Sequence, residues 1–282
     1  MPQASPIRSV LSLSEPGKSY RLGRTRPVAR GPRLKLRNYL LKSFPTPPPE
    51  YRYHGKAKAA LKQMYLNDKL GDCVIAGIYH LLGVFTANAS GTPLIIPDSY
   101  AERLYGLIGG YKPGDASTDN GCNEQDALNF WQEHGATPWN ADIEQEHKIA
   151  GWVSVDGSDW EEVKAAIWLF ENVYFGVELP DQWVTTQMPK GNGFVWNVAG
   201  PANPNNGHCF VGCDYTQYGV LINTWGLEGG ITPAAIAKYA TRGSQGELYT
   251  VLSPDSISKA SKKAPNGFDW SQLLADLESM RA

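Results

Sequence analysis

Cys73 is the residue in this sequence best suited to nucleophilic chemistry. It follows Gly71 and Asp72, and the apolar run CVIAGIYHLLGVF begins with it. A run that is apolar on every side predicts a helix buried all round. Unpaired N–H groups at the first turn of a helix favour a thiolate over a thiol. The position therefore predicts a reactive cysteine, and a buried structural cysteine is the alternative.

Two later residues could complete a catalytic arrangement with this thiol. His208 opens the β-rich run HCFVGCDY after a loop of Pro, Asn and Gly, and YGVLINTW follows across a turn. Antiparallel pairing of these runs is expected to bring Asn223 beside His208, where the amide oxygen can accept an imidazole N–H and fix the tautomer. Trp225 can shield that hydrogen bond from water. The three residues predict a Cys-His-Asn arrangement.

These residues, in this order and at these separations, resemble the papain family of cysteine peptidases. The resemblance spans roughly residues 49–254 and includes NTWG (223–226), GCNEQDALNFWQEHG (121–135) and GELYTVLS (246–253). It implies an α+β, two-lobed fold with a helical lobe that buries the nucleophile helix, and an antiparallel β-sheet or barrel lobe. It also implies hydrolysis of peptide bonds through an acyl-enzyme, with peptides or proteins as substrates and no cofactor. No spacing predicts a metal site or a phosphate loop.

The resemblance also assigns supporting roles around the nucleophile. Asn67 stands six residues before Cys73, where the family has a Gln, and is expected to hold the oxyanion together with the Cys73 backbone N–H. Asp72 replaces a small neutral residue and is expected to raise the pKa of the thiol. The residues expected to line the substrate cleft are Asn123, Glu124, Gln125 and Gly207. Of these, Glu124-Gln125 replaces the family's Gly-Gly, which predicts an unusual substrate preference.

The cysteines and the N-terminus indicate the cellular compartment in which the protein is expected. Four cysteines in 282 residues do not make a disulfide framework. Leu70 replaces the family's cysteine three residues before the nucleophile, so Cys122 lacks its usual disulfide partner. The N-terminus has no apolar core of signal-peptide length, and no apolar stretch reaches the roughly 18 residues that span a bilayer. We therefore expect a reducing, cytoplasmic compartment, or a virion, and no membrane.

The elements that must position these residues fall into three regions. Residues 1–50 form a basic, Pro/Arg-rich arm that closes with FPTPPPE, a stiff connector. Residues 51–255 form the papain-like domain, in which helical patterns come first and short β-rich runs follow. Residues 256–282 are predicted to be a linker and a C-terminal amphipathic helix that docks on the body, with a partner-binding peptide as the alternative.

Charge is divided unevenly between the arm and the rest. Residues 1–63 hold 14 Lys/Arg and two acids, a net +12, so the remainder carries −14 of the total −2. We expect this basic segment to dock on its own acidic body or on an assembly partner, with nucleic acid a less favoured partner. Residues 1–50 are also candidates for a built-in regulator that covers the cleft.

Two functions of different classes follow. The first is a thiol-dependent peptide hydrolase; a related acyl transfer such as deamidation or isopeptide cleavage stays open within it. The second is a non-catalytic structural or decoration subunit of a larger assembly, such as a virus particle, built on the same fold.

Overall fold

A computed structural model describes residues 20–26, 34–137 and 147–280 of the chain. The helices are α1 Lys58–Leu61, α2 Cys73–Ser90, α3 Asp98–Gly109, α4 Glu124–His134, α5 Trp160–Phe170, α6 Pro233–Tyr239, α7 Pro254–Lys263 and α8 Trp270–Ser279. The strands are β1 Tyr51–Arg52, β2 Gly151–Ser154, β3 Val173–Pro180, β4 Phe194–Trp196, β5 Ala202–Thr216, β6 Gly219–Thr224, β7 Leu227–Ile231 and β8 Glu247–Leu252. The rest of the predicted arm, residues 1–19 and 27–33, lies outside the described residues.

The strands form one sheet in the order β2-β8-β3-β5-β6-β7-β4, with β1 paired to β5. All of these pairs are antiparallel except β4 with β7, which is parallel. Helices α1 to α4 precede almost all of the sheet along the chain, as the sequence pattern predicted. The predicted α+β class is confirmed.

Strand β5 shows how the sheet separates two cores. Its side chains alternate, as in any strand. Phe210 packs into the core that contains α5, α6 and α8, whereas Cys209 and Val211 pack into the core built around α2. Along the buried part of β5, side chains therefore face one core or the other, and this decides which of them can meet α2.

Helix α2 is the buried helix that the apolar run predicted. It runs from Cys73 to Ser90, and 14 of its residues are buried. It is long and apolar enough to cross a bilayer, but most of it is enclosed by the rest of the protein, as in a soluble core helix. Tyr174 of β3 donates its hydroxyl hydrogen to the Val74 carbonyl oxygen at 2.5 Å, which ties the first turn of α2 to the sheet.

The C-terminal region differs from the sequence-based expectation in one respect. The stretch predicted to be a linker is largely helix α7, which starts with a capping box between Ser253 and Ser256 and a proline in its first turn. Helix α8 follows and packs on the body, with Leu273 and Leu277 buried.

Candidate active site

Cys73 is the first residue of α2 and is enclosed by protein. Only 1% of it is exposed, and this burial raises the pKa of its thiol to about 12. Backbone N–H groups of Gly23 and Cys209 oppose that rise in pKa. In this conformation the sulfur is a neutral thiol rather than the predicted thiolate.

His208 lies on β5 and is completely buried. Its Nε2 is 2.7 Å from the Thr224 hydroxyl oxygen, and its ring stacks on Trp225 with 4.3 Å between ring centroids. Burial lowers the pKa of His208 to about 3, so the ring is neutral. Trp225 was expected to cover a His208–Asn223 hydrogen bond; here its ring covers His208 where that residue bonds to Thr224.

Asn223 has a different hydrogen-bond partner from the predicted one. Its Nδ2 donates to the Leu61 carbonyl oxygen at 2.7 Å. Asn223 Oδ1 and His208 Nδ1 both lack a hydrogen-bond partner among the described residues. The structure therefore does not contain the His208–Asn223 hydrogen bond that the sequence predicted.

The register of β5 and β6 explains the difference. The two strands pair antiparallel as predicted, but the register shifts between Gly212 and Asp214, and Asn223 lies opposite Val211. Val211 faces the α2 core, so Asn223 faces it too, whereas Thr224 shares a face with His208. The β-bulge thus places Thr224, and not Asn223, beside His208. Sequence reasoning missed Thr224 although it stands next to Asn223.

Cys73 and several predicted partners line one small cavity of about 10 Å³, at the lower limit for a single water molecule. Asn67, Asn223 and Trp225 lie on its wall together with Cys73. Asn67 Nδ2 donates to the Leu70 carbonyl oxygen at 3.1 Å, so in this conformation the Asn67 side chain is bonded to the loop before α2. His208 does not line the cavity, but it contacts two residues that do, Thr224 and Trp225.

Residues 20–26, which we call the arm segment, run across this cavity. Its backbone hydrogen bonds run from Arg21 N to Asn67 O (2.9 Å), on the cavity wall, and from Arg24 N to Gly207 O (3.1 Å), on β5 beside His208. Cys122 exchanges two more, accepting from Thr25 N at 3.0 Å and donating to Gly23 O at 2.9 Å. Main-chain bonding of this kind fixes the position of the arm segment over the first turn of α2.

Side chains around the cavity hold the arm segment as well. Trp225 Nε1 donates to Arg21 O at 3.1 Å, and Asn123 Nδ2 donates to Arg26 O at 3.0 Å. Arg26 Nε also lies 2.6 Å from a carboxylate oxygen of Glu178. The hydrogen bonds of Trp225 and Asn123 thus end on backbone carbonyls of the arm segment.

The Arg24 side chain is buried against the body. Its Nε donates to Glu124 at 2.8 Å, and its Nη2 lies 3.3 Å from Glu247. Gln125 belongs to the same cluster, since its Nε2 donates to Glu247 at 2.5 Å. Each of the four predicted cleft residues, Asn123, Glu124, Gln125 and Gly207, therefore bonds to the arm segment directly or through one neighbour.

Glycines allow the close passage of the arm segment. A Cβ on Gly23 would lie 1.7 Å from the Gly71 carbonyl oxygen, and a Cβ on Gly121 would lie 1.7 Å from the Gly23 carbonyl oxygen. Gly121 also has a φ of +75°, which favours glycine. The backbone at Gly23 is thus held between the loop before Cys73 and the loop before α4.

The other ionisable groups near Cys73 are buried too. Burial raises the pKa of Asp72 well above its usual value, which disfavours the ionised carboxylate that the sequence suggested. All four cysteines are free thiols. Within residues 20–26, 34–137 and 147–280, no group of His, Cys, Asp and Glu is arranged to hold a metal ion.

Comparison with solved structures identifies the architecture. Xylellain, a cysteine protease from Xylella fastidiosa, matches with a TM-score of 0.55 at 14% identity, over 82% of this chain and 96% of its own. Digestive procathepsin L 3 of Tenebrio molitor larval midgut matches with a TM-score of 0.54 at 12% identity, over 78% and 76% of the two chains. The chain has a papain-like fold.

Further matches agree with the papain-like fold. The recombinant stem bromelain precursor has a TM-score of 0.52 at 12% identity, over 83% of this chain and 77% of that chain. No protein-family model matches the sequence, and no curated protein matches it. The similarity thus lies in the papain-like fold, and the chemistry of Cys73 has to be argued from this chain's own residues.

Proposed function

We propose that this protein is a thiol-dependent peptide hydrolase held in a latent form by its own arm segment. Cys73 is the nucleophile, His208 the proton carrier and Asn223 the residue that orients His208. Residues 20–26 occupy the place of a peptide substrate until they are displaced.

One observation carries this proposal. The arm segment bonds to the positions that sequence reasoning assigned to oxyanion binding, cleft lining and shielding, namely Asn67, Asn123, Glu124, Gly207 and Trp225. A peptide bound there by main-chain hydrogen bonds passes directly over Cys73. The contacts are those that a substrate-binding groove needs, and the chain itself supplies the bound peptide.

The charge states explain why the occupied site is inactive. Exclusion of water raises the pKa of Cys73 to about 12 and lowers the pKa of His208 to about 3. Both groups are therefore neutral at pH 7, and no thiolate–imidazolium pair forms. When the arm segment leaves, water enters and this desolvation is relieved, so both pKa values move towards those of exposed groups.

Displacement of the arm segment would also favour a hydrogen bond between His208 and Asn223. Asn223 Oδ1 and His208 Nδ1 are buried without a hydrogen-bond partner in the described part of the chain, and such groups cost about 1–3 kcal/mol each. Because Asn223 and His208 lie on opposite faces of the sheet in this conformation, their meeting needs a local rearrangement at the β5–β6 bulge, after which the Asn223 oxygen can accept an imidazole N–H. The remaining ring nitrogen would then be free for the Cys73 thiol.

The reaction in the open form follows from these roles. Cys73 passes its proton to His208, and the thiolate sulfur bonds to the substrate carbonyl carbon, while the Cys73 N–H and Asn67 stabilise the oxyanion. His208 gives the proton to the leaving nitrogen as the C–N bond breaks. Water, deprotonated by His208, then cleaves the thioester and restores the thiol.

The test uses the full chain with Gly23→Ala, because the added Cβ clashes with the Gly71 backbone and should expel the arm segment. Gly55→Ala is the matched control, since a Cβ there meets nothing within 4 Å. Native-state cleavage by trypsin at Arg24 reports whether the arm segment has left. We expect Gly23→Ala to hydrolyse a fluorogenic peptide library, and the wild type and Gly55→Ala to be much slower.

The double variant Gly23→Ala/Cys73→Ala separates thiol chemistry from contaminating proteases. Hydrolysis that disappears in the double variant supports the proposal. If Gly23→Ala is open to trypsin at Arg24 but shows no Cys73-dependent hydrolysis, the protein is not a latent hydrolase. The structural-subunit function would then be the one to pursue.

A further inference from the structure

The body contains a pocket shaped around the side chain of Arg24. Its walls are Glu124 on α4 and Glu247 on β8, whose carboxylates lie 2.8 and 3.3 Å from the guanidinium. The Arg24 side chain is 0% exposed. We call these residues, together with Gln125, Tyr249 and Gly176 described below, the arginine pocket.

The carboxylate of Glu247 is held in place by its neighbours. Gln125 Nε2 donates to it at 2.5 Å, and the Tyr249 hydroxyl also donates to it. Gln125 Nε2 is in addition 3.0 Å from the Tyr249 hydroxyl. The acceptor is thus positioned by the body, independently of any arginine.

Gly176 of β3 makes room for the planar head group. A Cβ at this position would lie 2.1 Å from the Glu124 carboxylate oxygen and 2.6 Å from Arg24 Nε. Any larger residue in the strand would push the carboxylate and the guanidinium apart. Two carboxylates on separate elements and a glycine on a third therefore converge on one guanidinium, which suits arginine better than the compact ammonium of lysine.

The arginine pocket lies beside the nucleophile. Gly23, the residue before Arg24, packs against the Gly71 backbone two residues before Cys73, and its backbone N–H lowers the pKa of the Cys73 thiol. Arg24 itself bonds through its backbone to Gly207, the residue before His208. A side chain in the pocket therefore belongs to a peptide whose adjacent residue lies over the thiol.

We propose that the arginine pocket selects the substrate, so that the protein acts on peptides with an arginine next to the residue that lies over Cys73. This inference rests on the proposed function, and Arg24 occupies the site in place of the substrate's arginine. Glu178, 2.6 Å from Arg26, adds a weaker preference for a second basic residue. The net charge of −14 outside residues 1–63 attracts basic peptides to the body.

The pocket can be tested without any enzymatic activity. Arg24→Ala empties the site in the full chain, and ethylguanidinium is the probe that replaces the head group. We expect ethylguanidinium to raise the Tm of Arg24→Ala saturably, and ethylammonium at the same concentration to raise it far less. If Arg24→Ala is too unstable to isolate, the refolding yield with each compound replaces Tm as the readout.

Arg26→Ala is the matched control, because Arg26 is a half-exposed arginine of the same segment. The wild type and Arg26→Ala should show no such selective rise. If both compounds raise the Tm of Arg24→Ala equally, the pocket does not recognise a guanidinium group and the proposal is wrong.

Substrate selection is tested on the Gly23→Ala chain with fluorogenic peptides that carry arginine, citrulline or leucine at one position at a time. We expect kcat/KM for arginine at one position to exceed that for citrulline by about 10-fold or more. Glu247→Gln, introduced into the same chain, should remove most of this difference.

The two tests separate the two proposals. Cys73-dependent hydrolysis without an arginine preference overturns the inference and leaves the proposed function standing. Selective rescue by ethylguanidinium without any hydrolysis supports the pocket and overturns the proposed function.

Discussion

His208 Nε2 lies 2.7 Å from Thr224 Oγ1, and both residues are buried. This hydrogen bond takes the place of the predicted His208–Asn223 bond. It holds the imidazole in a neutral, enclosed position while the arm segment covers the site.

Thr224→Val tests this hydrogen bond directly. The substitution keeps the shape of the side chain but leaves His208 Nε2 without a partner, so we expect the free energy of unfolding to fall by about 1–2 kcal/mol. Urea denaturation measures the loss. Thr185→Val is the control, because Thr185 is exposed and should change stability by less than about 0.5 kcal/mol. Equal losses in the two variants would show that the His208–Thr224 bond contributes nothing.

The alkylation rate of the cysteines is expected to report on the arm segment. Burial raises the pKa of Cys73 to about 12, against roughly 8.5 for a free thiol, so iodoacetamide should label it very slowly at pH 7.5. Gly23→Ala should accelerate labelling of Cys73 by about 10-fold or more as the thiol becomes exposed. Mass spectrometry resolves each site.

Cys213 provides the internal control for this measurement, since it is buried in the same core. Its labelling rate should not change in Gly23→Ala. If Cys73 and Cys213 accelerate together, the substitution has loosened the whole core instead of displacing the arm segment.

The free energy of unfolding of the protein should fall in acid. The pKa of His208 is lowered to about 3 and that of His80 to about 4, in both cases by burial. The unfolded chain binds protons at these histidines below about pH 6.5, whereas the folded chain does not. Their contribution is thus fully present above pH 6.5 and is lost as the pH falls, by about 1.4 kcal/mol per pH unit for each histidine.

His208→Gln isolates one of these contributions. Between about pH 6 and pH 4, its free energy of unfolding should fall less steeply than that of the wild type, by about 1.4 kcal/mol per pH unit. Buried carboxyls with raised pKa values, such as Glu171 and Asp72, act in the opposite direction, but they are common to both chains. Parallel curves would show that His208 already titrates normally in the folded protein.

Two neighbouring leucines of α8 offer a matched test of how the C-terminal helix docks. Leu273 is fully buried, whereas Leu274 is 50% exposed. We expect Leu273→Ala to lower the free energy of unfolding by about 2–4 kcal/mol and Leu274→Ala by less than about 0.5 kcal/mol. Thermal or urea unfolding measures both, and similar losses would mean that α8 packs in another orientation.

Much of the fold follows from local pattern. The apolar run after Cys73 could form only a helix buried all round, and Gly71 and Asp72 determined where it starts. Short β-branched runs separated by Gly, Pro and Asn specified β3, β5, β6 and β8. Helix α7 was predicted as a linker because its serines and lysines carry little hydrophobic signal; the capping box at Ser253 and docking on the body stabilise it instead.

The sequence by itself determined the residue types of the site and the elements that carry them, because local patterns specify helices and strands. It did not determine which side chains meet. Side chains in a strand alternate between faces with a period of two. The shift of register at Gly212 therefore moved Asn223 away from the face that carries His208 and brought Thr224 onto that face. The burial of Arg24 between Glu124 and Glu247, residues 100 and 223 positions away, is long-range packing that only the tertiary structure decided.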